Sequence, residues 1–221
     1  MLKTITDTEE LRTEQKITLA SPRRDYGFLA KMLFLTMDLV YGKKRTLSKF
    51  KVLEVIARVP YQAWEHVAYI AVTHKYSEPL YARRIFDFVK ESREQQDNEQ
   101  WHLLIMEEQT QQRDVKESFF MYRFIPQLIA FFYYHTSWLL YVIEPAKSYR
   151  LNADFEDHAE HEYMIFVNEN PQFEDEPFES NFKDEYGDFK SVADVLRQIG
   201  YDERMHKEES LHHIEHPRFG A

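Results

Sequence analysis

One short motif, a glutamate followed three residues later by a histidine, limits what this chain can fold into. The first copy is Glu99 with His102, and the second is Glu203 with His206. Residues three apart lie on the same face of an α-helix, so each copy presents a carboxylate beside an imidazole. Both copies lie in long segments with helical apolar spacing, which predicts two helices that each carry a polar pair within an apolar setting.

A single glutamate precedes each motif at a nearly equal distance. Glu54 lies 45 residues before Glu99, and Glu156 lies 47 residues before Glu203. The order Glu, Glu-x-x-His, Glu, Glu-x-x-His is typical of ferritin-like four-helix bundles that bind two metal ions through carboxylates. A set of ion-paired surface residues is the alternative interpretation.

Other residues compete for these roles. Glu65 lies eleven residues after Glu54 and so on nearly the same helix face, but the spacing to Glu99 favours Glu54. A third Glu-x-x-His, Glu209 with His212, follows six residues after the second. We interpret this third copy as part of a solvated face of the C-terminal helix.

Composition narrows the fold class and the ligand chemistry. The 221 residues include only five glycines, and the eight prolines fall mostly near predicted helix ends, which favours an all-α fold. The absence of cysteine excludes disulfides and thiolate ligands, so histidine and carboxylate remain as metal donors. These donors favour iron or manganese over structural zinc, and in a bridged pair they suit iron. A net charge of -10 argues against nucleic-acid binding.

We expect one bundle domain over residues 25–213, between a loosely held polar tail (1–24) and a short histidine-rich tail (214–221). The acidic, proline-containing connection over 169–188 predicts a surface excursion. The N-terminal residues have no signal-peptide or transit-peptide character, so we expect the protein to stay where it is made. Helices are predicted over 25–41, 47–75 with a kink at Pro60, 79–108, 119–145, 149–168 and 189–213.

Two of these segments are unusually apolar. Residues 25–41 are short for a membrane span and have basic residues on both sides, which suits a helix lying in a bilayer interface. The segment 119–145 approaches the length of a span, but Gln127, His135, Thr136 and Ser137 interrupt it. We expect both helices to attach the bundle to one leaflet as a monotopic protein, and a core position or a dimer interface is the alternative.

The charge of the six candidate ligands requires cations. Four buried carboxylates carry a charge of -4, which two divalent metal ions neutralise, and without metal the pKa of several of them should rise. Two irons with open coordination positions can react with O2 and transfer electrons in pairs. Tyr163 lies seven residues after Glu156, two turns along one helix face, and can supply a proton and an electron. A hydrogen-bonded core tyrosine is the alternative.

Five stretches of the chain, in order, carry a resemblance to a known family. They are VLEVIARVPY (52–61), NEQWHLLIMEE (98–108), IAFFYYHTSWLLYVIEP (129–145), EDHAEHEY (156–163) and DERMH (202–206). They closely resemble the plastid terminal oxidase branch of the alternative oxidases, over about residues 25–210. The resemblance implies a membrane-bound di-iron terminal oxidase of an electron-transport chain, which oxidises plastoquinol or a related quinol and reduces O2 to water without pumping protons.

The same resemblance implies roles for individual residues. Tyr163 would be the redox-active tyrosine, and Asn98 and Asp202 would orient the ligands. Lys49 stands where the family usually has arginine, and lysine cannot make the planar two-point contact of arginine. The iron ligands would be Glu54, Glu99, His102, Glu156, Glu203 and His206. The quinol pocket would lie near Asp38, Lys49, Leu53, Phe155 and Ala159.

Two other functions compete with a quinol oxidase. A soluble di-iron oxygenase or desaturase-like enzyme acting on a small or fatty substrate would use the same ligands. An iron-storing bundle would give no reason for Tyr163 to lie on the ligand face. The connection at 169–188 is shorter than in the plant enzymes that the chain resembles. Together with the lack of a transit peptide, this favours a cyanobacterial or phage-borne protein on the cytoplasmic face of a thylakoid membrane. We expect quinol, O2 and one leaflet of a bilayer as partners, and a homodimer is a further prediction.

Overall fold

The computed structural model describes residues 3–215, and most of this range is helical. A π-helical turn, Phe120–Phe124, precedes α6, and a 3-10 turn, Pro171–Glu174, follows α7. The all-α prediction is confirmed. Extended pairing within these residues is limited to an isolated bridge between Pro177 and Ser191. The helices are α1 Thr8–Ala20, α2 Phe28–Tyr41, α3 Leu47–Ala57, α4 Val59–Lys75, α5 Pro79–Gln112, α6 Ile125–Ile143, α7 Pro145–Glu169, α8 Lys183–Tyr186 and α9 Val192–Glu215.

Four helices, α3, α5, α7 and α9, surround the interior in which the two Glu-x-x-His motifs lie. Helix α7 packs along α9, and α3 packs along α5. Apolar side chains fill both ends of this interior: one cluster joins α5, α7 and α9, and another joins α2, α3, α6 and α7. The bundle therefore holds its central residues between two apolar layers.

The predicted kink near Pro60 is a break between two helices. Helix α3 ends at Ala57 and α4 begins at Val59, with Arg58 between them. Proline has no N–H to donate and its ring crowds the preceding turn, so Pro60 is accommodated in the first turn of α4. The break leaves α3 free to align its own polar face with the bundle interior.

The N-terminal residues differ from the loosely held tail that we predicted. Asp7 caps α1 by accepting a hydrogen bond from the Glu10 N–H at 2.9 Å, and α1 packs on α7 and α9. Leu11, Gln15 and Thr18 are buried at helical spacing. Apolar and polar partners together bury this face: Leu11 belongs to the core cluster of α5, α7 and α9, and the Gln15 amide donates to the carbonyl oxygen of Met164 at 2.8 Å.

The connection between α7 and α9 is also not the surface excursion that its composition predicted. The connection also contains aromatic residues among its acidic ones, and four of them are buried: Phe173, Phe178, Tyr186 and Phe189. These rings form part of the core beside α5 and α9. The connection therefore closes one end of the bundle interior.

The predicted C-terminal tail starts inside α9, which continues to Glu215, and residues 216–221 lie outside the described range. None of the helices within residues 3–215 is long and apolar enough to cross a membrane. Helix α2 and the region from 119 to 143 nevertheless expose many large apolar side chains.

Candidate metal centre

The six candidate ligands meet in the centre of the bundle. Helix α3 supplies one glutamate, α7 supplies another, and α5 and α9 each supply a Glu-x-x-His pair. All six side chains have zero solvent exposure: Glu54, Glu99, His102, Glu156, Glu203 and His206. Residues far apart in the sequence are thus brought to one site by the packing of four helices.

These side chains form two groups of four. In each group the potential ligand atoms lie within 4.8 Å of one another. Glu99 and Glu203 belong to both groups, Glu54 and His102 complete the first, and the second is completed by Glu156 and His206. Each group would hold one metal ion, and Glu99 and Glu203 would serve both ions.

The distances show how tightly the donor atoms converge. His102 Nδ1 lies 3.3 Å from Glu203 Oε1, 3.4 Å from Glu54 Oε2 and 3.5 Å from Glu99 Oε2. His206 Nδ1 lies 2.7 Å from Glu99 Oε1 and 3.8 Å from Glu203 Oε2. Each imidazole therefore directs Nδ1 towards carboxylate oxygens of both pairs.

Most of the buried polar atoms of this cluster lack hydrogen-bond partners. Both carboxylate oxygens of Glu99 and of Glu203, and both ring nitrogens of His206, are unpaired, as are Glu54 Oε2, His102 Nδ1 and Glu156 Oε2. An unpaired buried polar atom costs about 1–3 kcal/mol, and more when it is charged. Cations coordinated by these atoms would remove that cost, so the donor set fits a pair of metal ions.

Burial and mutual proximity perturb the ionisation of the cluster. Burial raises the pKa of Glu54 and of Glu156 well above its usual value, and neighbouring carboxylates add to the rise. Burial would raise the pKa of Glu99, but the nearby charges of His206 and His102 outweigh it, and the pKa is lowered. Burial alone would lower the pKa of the two histidines, but their acidic neighbours raise it. The site therefore favours positive charge at its centre.

His102 is oriented by a hydrogen-bond network behind the cluster. Its Nε2 lies 3.2 Å from Asp202 Oδ2, which leaves Nδ1 facing the carboxylates. Asp202 also accepts hydrogen bonds from the Tyr186 hydroxyl at 2.7 Å and the Gln198 amide at 2.7 Å. Asn98 makes a longer contact of 3.3 Å with Asp202. The contact of Gln198 with Asp202 could have been predicted from the sequence, because the two residues lie one helical turn apart. Nothing in the sequence indicated the contact of Tyr186 with Asp202.

Two buried tyrosines contact the cluster from opposite sides. The Tyr163 hydroxyl donates a hydrogen bond to Glu54 Oε1, which belongs to α3 rather than to the helix of Tyr163. The Tyr61 hydroxyl donates to Glu156 Oε1 at 2.8 Å and accepts from the Asn152 amide at 3.0 Å. We did not predict a role for Tyr61, although it lies in one of the stretches that carry the resemblance.

The competing residues have other partners. Glu65 lies outside the cluster and pairs with Arg93 Nε at 2.8 Å. Glu209 accepts a hydrogen bond from the Gln95 amide. A further carboxylate and histidine group on α7, Asp157, Glu160 and His161, has its charge balanced by Lys207, whose Nζ lies 2.6 Å from Glu160 Oε2. These contacts leave the central cluster as the better metal site.

The residues expected near a quinol pocket lie beside the cluster, between α2, α3 and α7. Leu53, Phe155 and Ala159 are buried in the apolar cluster that joins these helices with α6. Lys49 Nζ lies 2.7 Å from Asp38 Oδ1 and 2.8 Å from the carbonyl oxygen of Gly42. A narrow cleft beside Lys49 is lined by Arg45, Lys49, Phe50, Leu53, His158 and Glu162.

Comparisons with known proteins identify the family. The sequence model of the alternative oxidase family matches residues 25–215. The protein "Ubiquinol oxidase 4, chloroplastic/chromoplastic" of Arabidopsis thaliana is 36% identical over 140 residues, which cover 63% of this chain and 36% of that protein. The chain thus matches little more than a third of the length of this curated relative. The family match spans all four helices of the cluster, and the chain belongs to the alternative oxidase family.

Proposed function

We propose that this chain is a di-iron quinol oxidase of the plastid terminal oxidase type. In the balanced reaction, two quinols supply four electrons and four protons, and one O2 becomes two waters. The observation that carries the proposal is the pair of four-residue groups that share Glu99 and Glu203, because most of their donor atoms lack hydrogen-bond partners. The family membership of the chain supports the same chemistry.

The six candidate ligands would hold two iron ions. When bound, the iron ions would supply O2 binding and paired electron transfer. The protein orients the ligands through hydrogen bonds. Asp202 contacts Nε2 of His102, and Tyr61, which accepts a hydrogen bond from Asn152, donates to Glu156. Because the whole cluster is buried, bulk water is excluded from the donor atoms. These contacts keep the ligands in place while charge changes during turnover.

Tyr163 is placed to move a proton and an electron at the cluster. Its hydroxyl donates to Glu54 Oε1, and its ring packs 4.2 Å from the ring of Phe50, centroid to centroid. The pKa of Tyr163 is raised by burial and by the charge of Glu54, so the phenol stays protonated at neutral pH. A neutral phenol with an acceptor already in place can release its proton along an existing hydrogen bond as it is oxidised.

Quinol would bind beside the cluster, in the cleft at Lys49. Phe50 lines this cleft and its ring packs on Tyr163, whose hydroxyl donates to Glu54, so an occupant would lie within two side chains of a candidate iron ligand. Lys49 offers a single positive donor that Asp38 holds in position. A lysine makes one directional contact where arginine makes two, so we expect weaker orientation of the quinol head group than an arginine would give.

Attachment to one leaflet of a membrane would bring this cleft close to lipid-soluble quinol. The exposed apolar side chains of α2 and of residues 119–143 form what we call the apolar face. Its members include Phe28, Leu39, Phe119, Phe132 and Ile143, each more than half exposed. The side chains of α2 and α6 meet in a cleft lined by Leu33 and Tyr133. A thylakoid surface and a homodimer remain parts of the proposal.

Oxygen uptake tests the catalytic proposal. Detergent-solubilised, iron-loaded protein should consume O2 when supplied with a plastoquinol analogue, in the presence of cyanide to silence haem oxidases. Tyr163→Phe should abolish uptake while retaining iron, and Tyr201→Phe, a tyrosine on α9 away from the cluster, should retain it. Uptake by Tyr163→Phe at the wild-type rate would contradict the assigned role. If the iron-loaded protein consumes no O2 with the quinol analogue, the result would favour the soluble di-iron oxygenase.

Vesicle flotation tests the membrane proposal. Wild-type protein should float with liposomes, and the double variant Phe28→Glu, Leu39→Glu should not. Leu80→Glu is the matched control, because Leu80 is as exposed as Phe28 but lies at the start of α5, outside the apolar face. Equal flotation of the double variant and the control would contradict attachment through this face.

A further inference from the structure

Arg23 lies before the first residue of the family match, yet it reaches the cleft at Lys49. Its NH1 atom lies 3.1 Å from His158 Nδ1, and its NH2 atom donates to Glu162 Oε1 at 2.6 Å. Both partners are on α7 and both line the cleft. A residue outside the family-matched region thus contacts two walls of the candidate quinol pocket.

The contact with Arg23 defines the hydrogen-bonding state of His158. A guanidinium group has only N–H donors, so His158 Nδ1 must accept, and the ring proton of neutral His158 must be on Nε2. His158 Nε2 makes no hydrogen bond to any residue in the described range 3–215. His158, which lines the cleft, therefore carries an N–H donor that the residues 3–215 do not use.

The ring of His158 is also fixed in orientation. It stacks on Phe34 of α2, with ring centroids 3.9 Å apart and an angle of 18° between the planes. Tyr26 contacts it edge-on at 6.1 Å. With one face covered and one nitrogen held, the ring has little freedom to turn away from the cleft, so its donor is held for a ligand.

We propose that Arg23 is a positioning residue that holds His158 as the Nε2–H tautomer, and that His158 donates this N–H to an oxygen of a 1,4-benzoquinone or quinol head group. This inference rests on the proposed function. Phe50 and Leu53 offer apolar surface to such a ring, although the cleft has room for little more than one water in this structure and must widen to admit the head group. Lys49 and His158 are two donors in the cleft, and a quinone has two oxygens.

Two substitutions of His158 separate the donor from the bulk of the side chain. The amide nitrogen of glutamine can occupy the place of Nε2, whereas the shorter asparagine places its amide near Nδ1. His158→Gln should bind decyl-plastoquinone within about 2-fold of wild type, and His158→Asn should bind about 3- to 10-fold more weakly, the range of one hydrogen bond. The dissociation constants are measured by calorimetry on the iron-loaded protein in detergent, and KM for the quinol should follow them while kcat changes less.

Substitution of Arg23 tests the indirect part of the proposal. Arg23→Leu should weaken quinone binding to a similar extent as His158→Asn, and Arg23→Lys should restore most of it by donating to Nδ1. Glu162 keeps a partner in both variants, because Arg45 Nε lies 2.8 Å from Glu162 Oε2. Nitrogen NMR of histidine-labelled full chain, with the His158 signals assigned by their loss in His158→Gln, reports the tautomer directly.

The results separate this inference from the proposed function. The expected result is Nε2–H in the wild type, a mixture of tautomers in Arg23→Leu, and tighter binding by His158→Gln than by His158→Asn. Equal binding by His158→Gln and His158→Asn, with wild-type turnover intact, would overturn the inference alone. Nδ1–H in the wild type would also overturn it. A wild-type protein that neither binds quinone nor oxidises quinol would overturn the proposed function as well.

Discussion

Replacement of Glu156 by glutamine should have little effect on stability without metal and a large effect with metal bound. Glu156 is fully buried, accepts a hydrogen bond from Tyr61 at Oε1 and has no partner at Oε2. Burial raises the pKa of Glu156, so in the absence of cations it is protonated, and glutamine closely matches a protonated glutamate in shape. Glu156→Gln should therefore change the stability of the metal-free protein by less than about 1 kcal/mol.

The metal-loaded protein should respond much more strongly. Each ion at about 100 times its dissociation constant stabilises the folded state by about 2.7 kcal/mol, so two ions give about 5.4 kcal/mol. An unfolding entropy of about 2.1 cal/mol/K per residue over 221 residues converts this to a rise in Tm of about 12 °C. Glu156 belongs to one of the two ligand groups, so Glu156→Gln should reduce the rise to about 6 °C.

Anaerobic thermal unfolding with and without ferrous ion measures these shifts. Glu209→Gln is the matched control, since Glu209 is a half-buried glutamate on α9 whose pKa burial also raises, but which lies outside both ligand groups. The control should keep the full metal-dependent rise. If Glu156→Gln kept the full rise, or if it lost equal stability in both conditions, the assignment of Glu156 to a metal site would be wrong.

Three further predictions follow from contacts around the site. Tyr186→Phe removes a donor to Asp202 and should weaken iron binding about 10-fold in a competition assay with a chelator, whereas Tyr201→Phe should not. Hydrogen bonds from Lys51 and Gln111, opposed by partial burial, lower the pKa of Glu107 to about 2, so its stabilising effect is complete above about pH 4.5 and is lost as the pH falls towards 2. Glu107→Gln should cost about 1–2 kcal/mol in urea unfolding at pH 7 and progressively less below pH 4.5, and a constant difference would contradict this. Arg204→Ala removes contacts with Glu160 and with the Glu14 carbonyl and should cost about 3 kcal/mol, against less than about 1 kcal/mol for the exposed Arg12→Ala.

The sequence was sufficient to predict the two Glu-x-x-His pairs, because helical spacing is a local property. Glu99 with His102 and Glu203 with His206 each had to share a helix face, and the four helices had to bury those faces. Their convergence with Glu54 and Glu156 is what the structure shows. Their role as iron ligands stays a prediction.

The elements that were missed depend on contacts between distant residues. Helix α1 is buried through apolar and polar partners on α7 and α9, and its own sequence gave no apolar stripe strong enough to indicate this. Tyr186 comes to Asp202 from an acidic connection whose path is set by its buried aromatic rings. Arg23 reaches His158 across 135 residues. Neither composition nor periodicity contains information about such pairings.

The iron content of the purified protein tests most directly whether the six side chains build a two-iron centre. Wild-type protein and Glu209→Ala, which alters the third Glu-x-x-His, should each bind about two irons per chain. Glu99→Ala removes a residue shared by both ligand groups and should bind almost none. Two irons per chain in Glu99→Ala, or none in the wild type under anaerobic ferrous loading, would contradict the account.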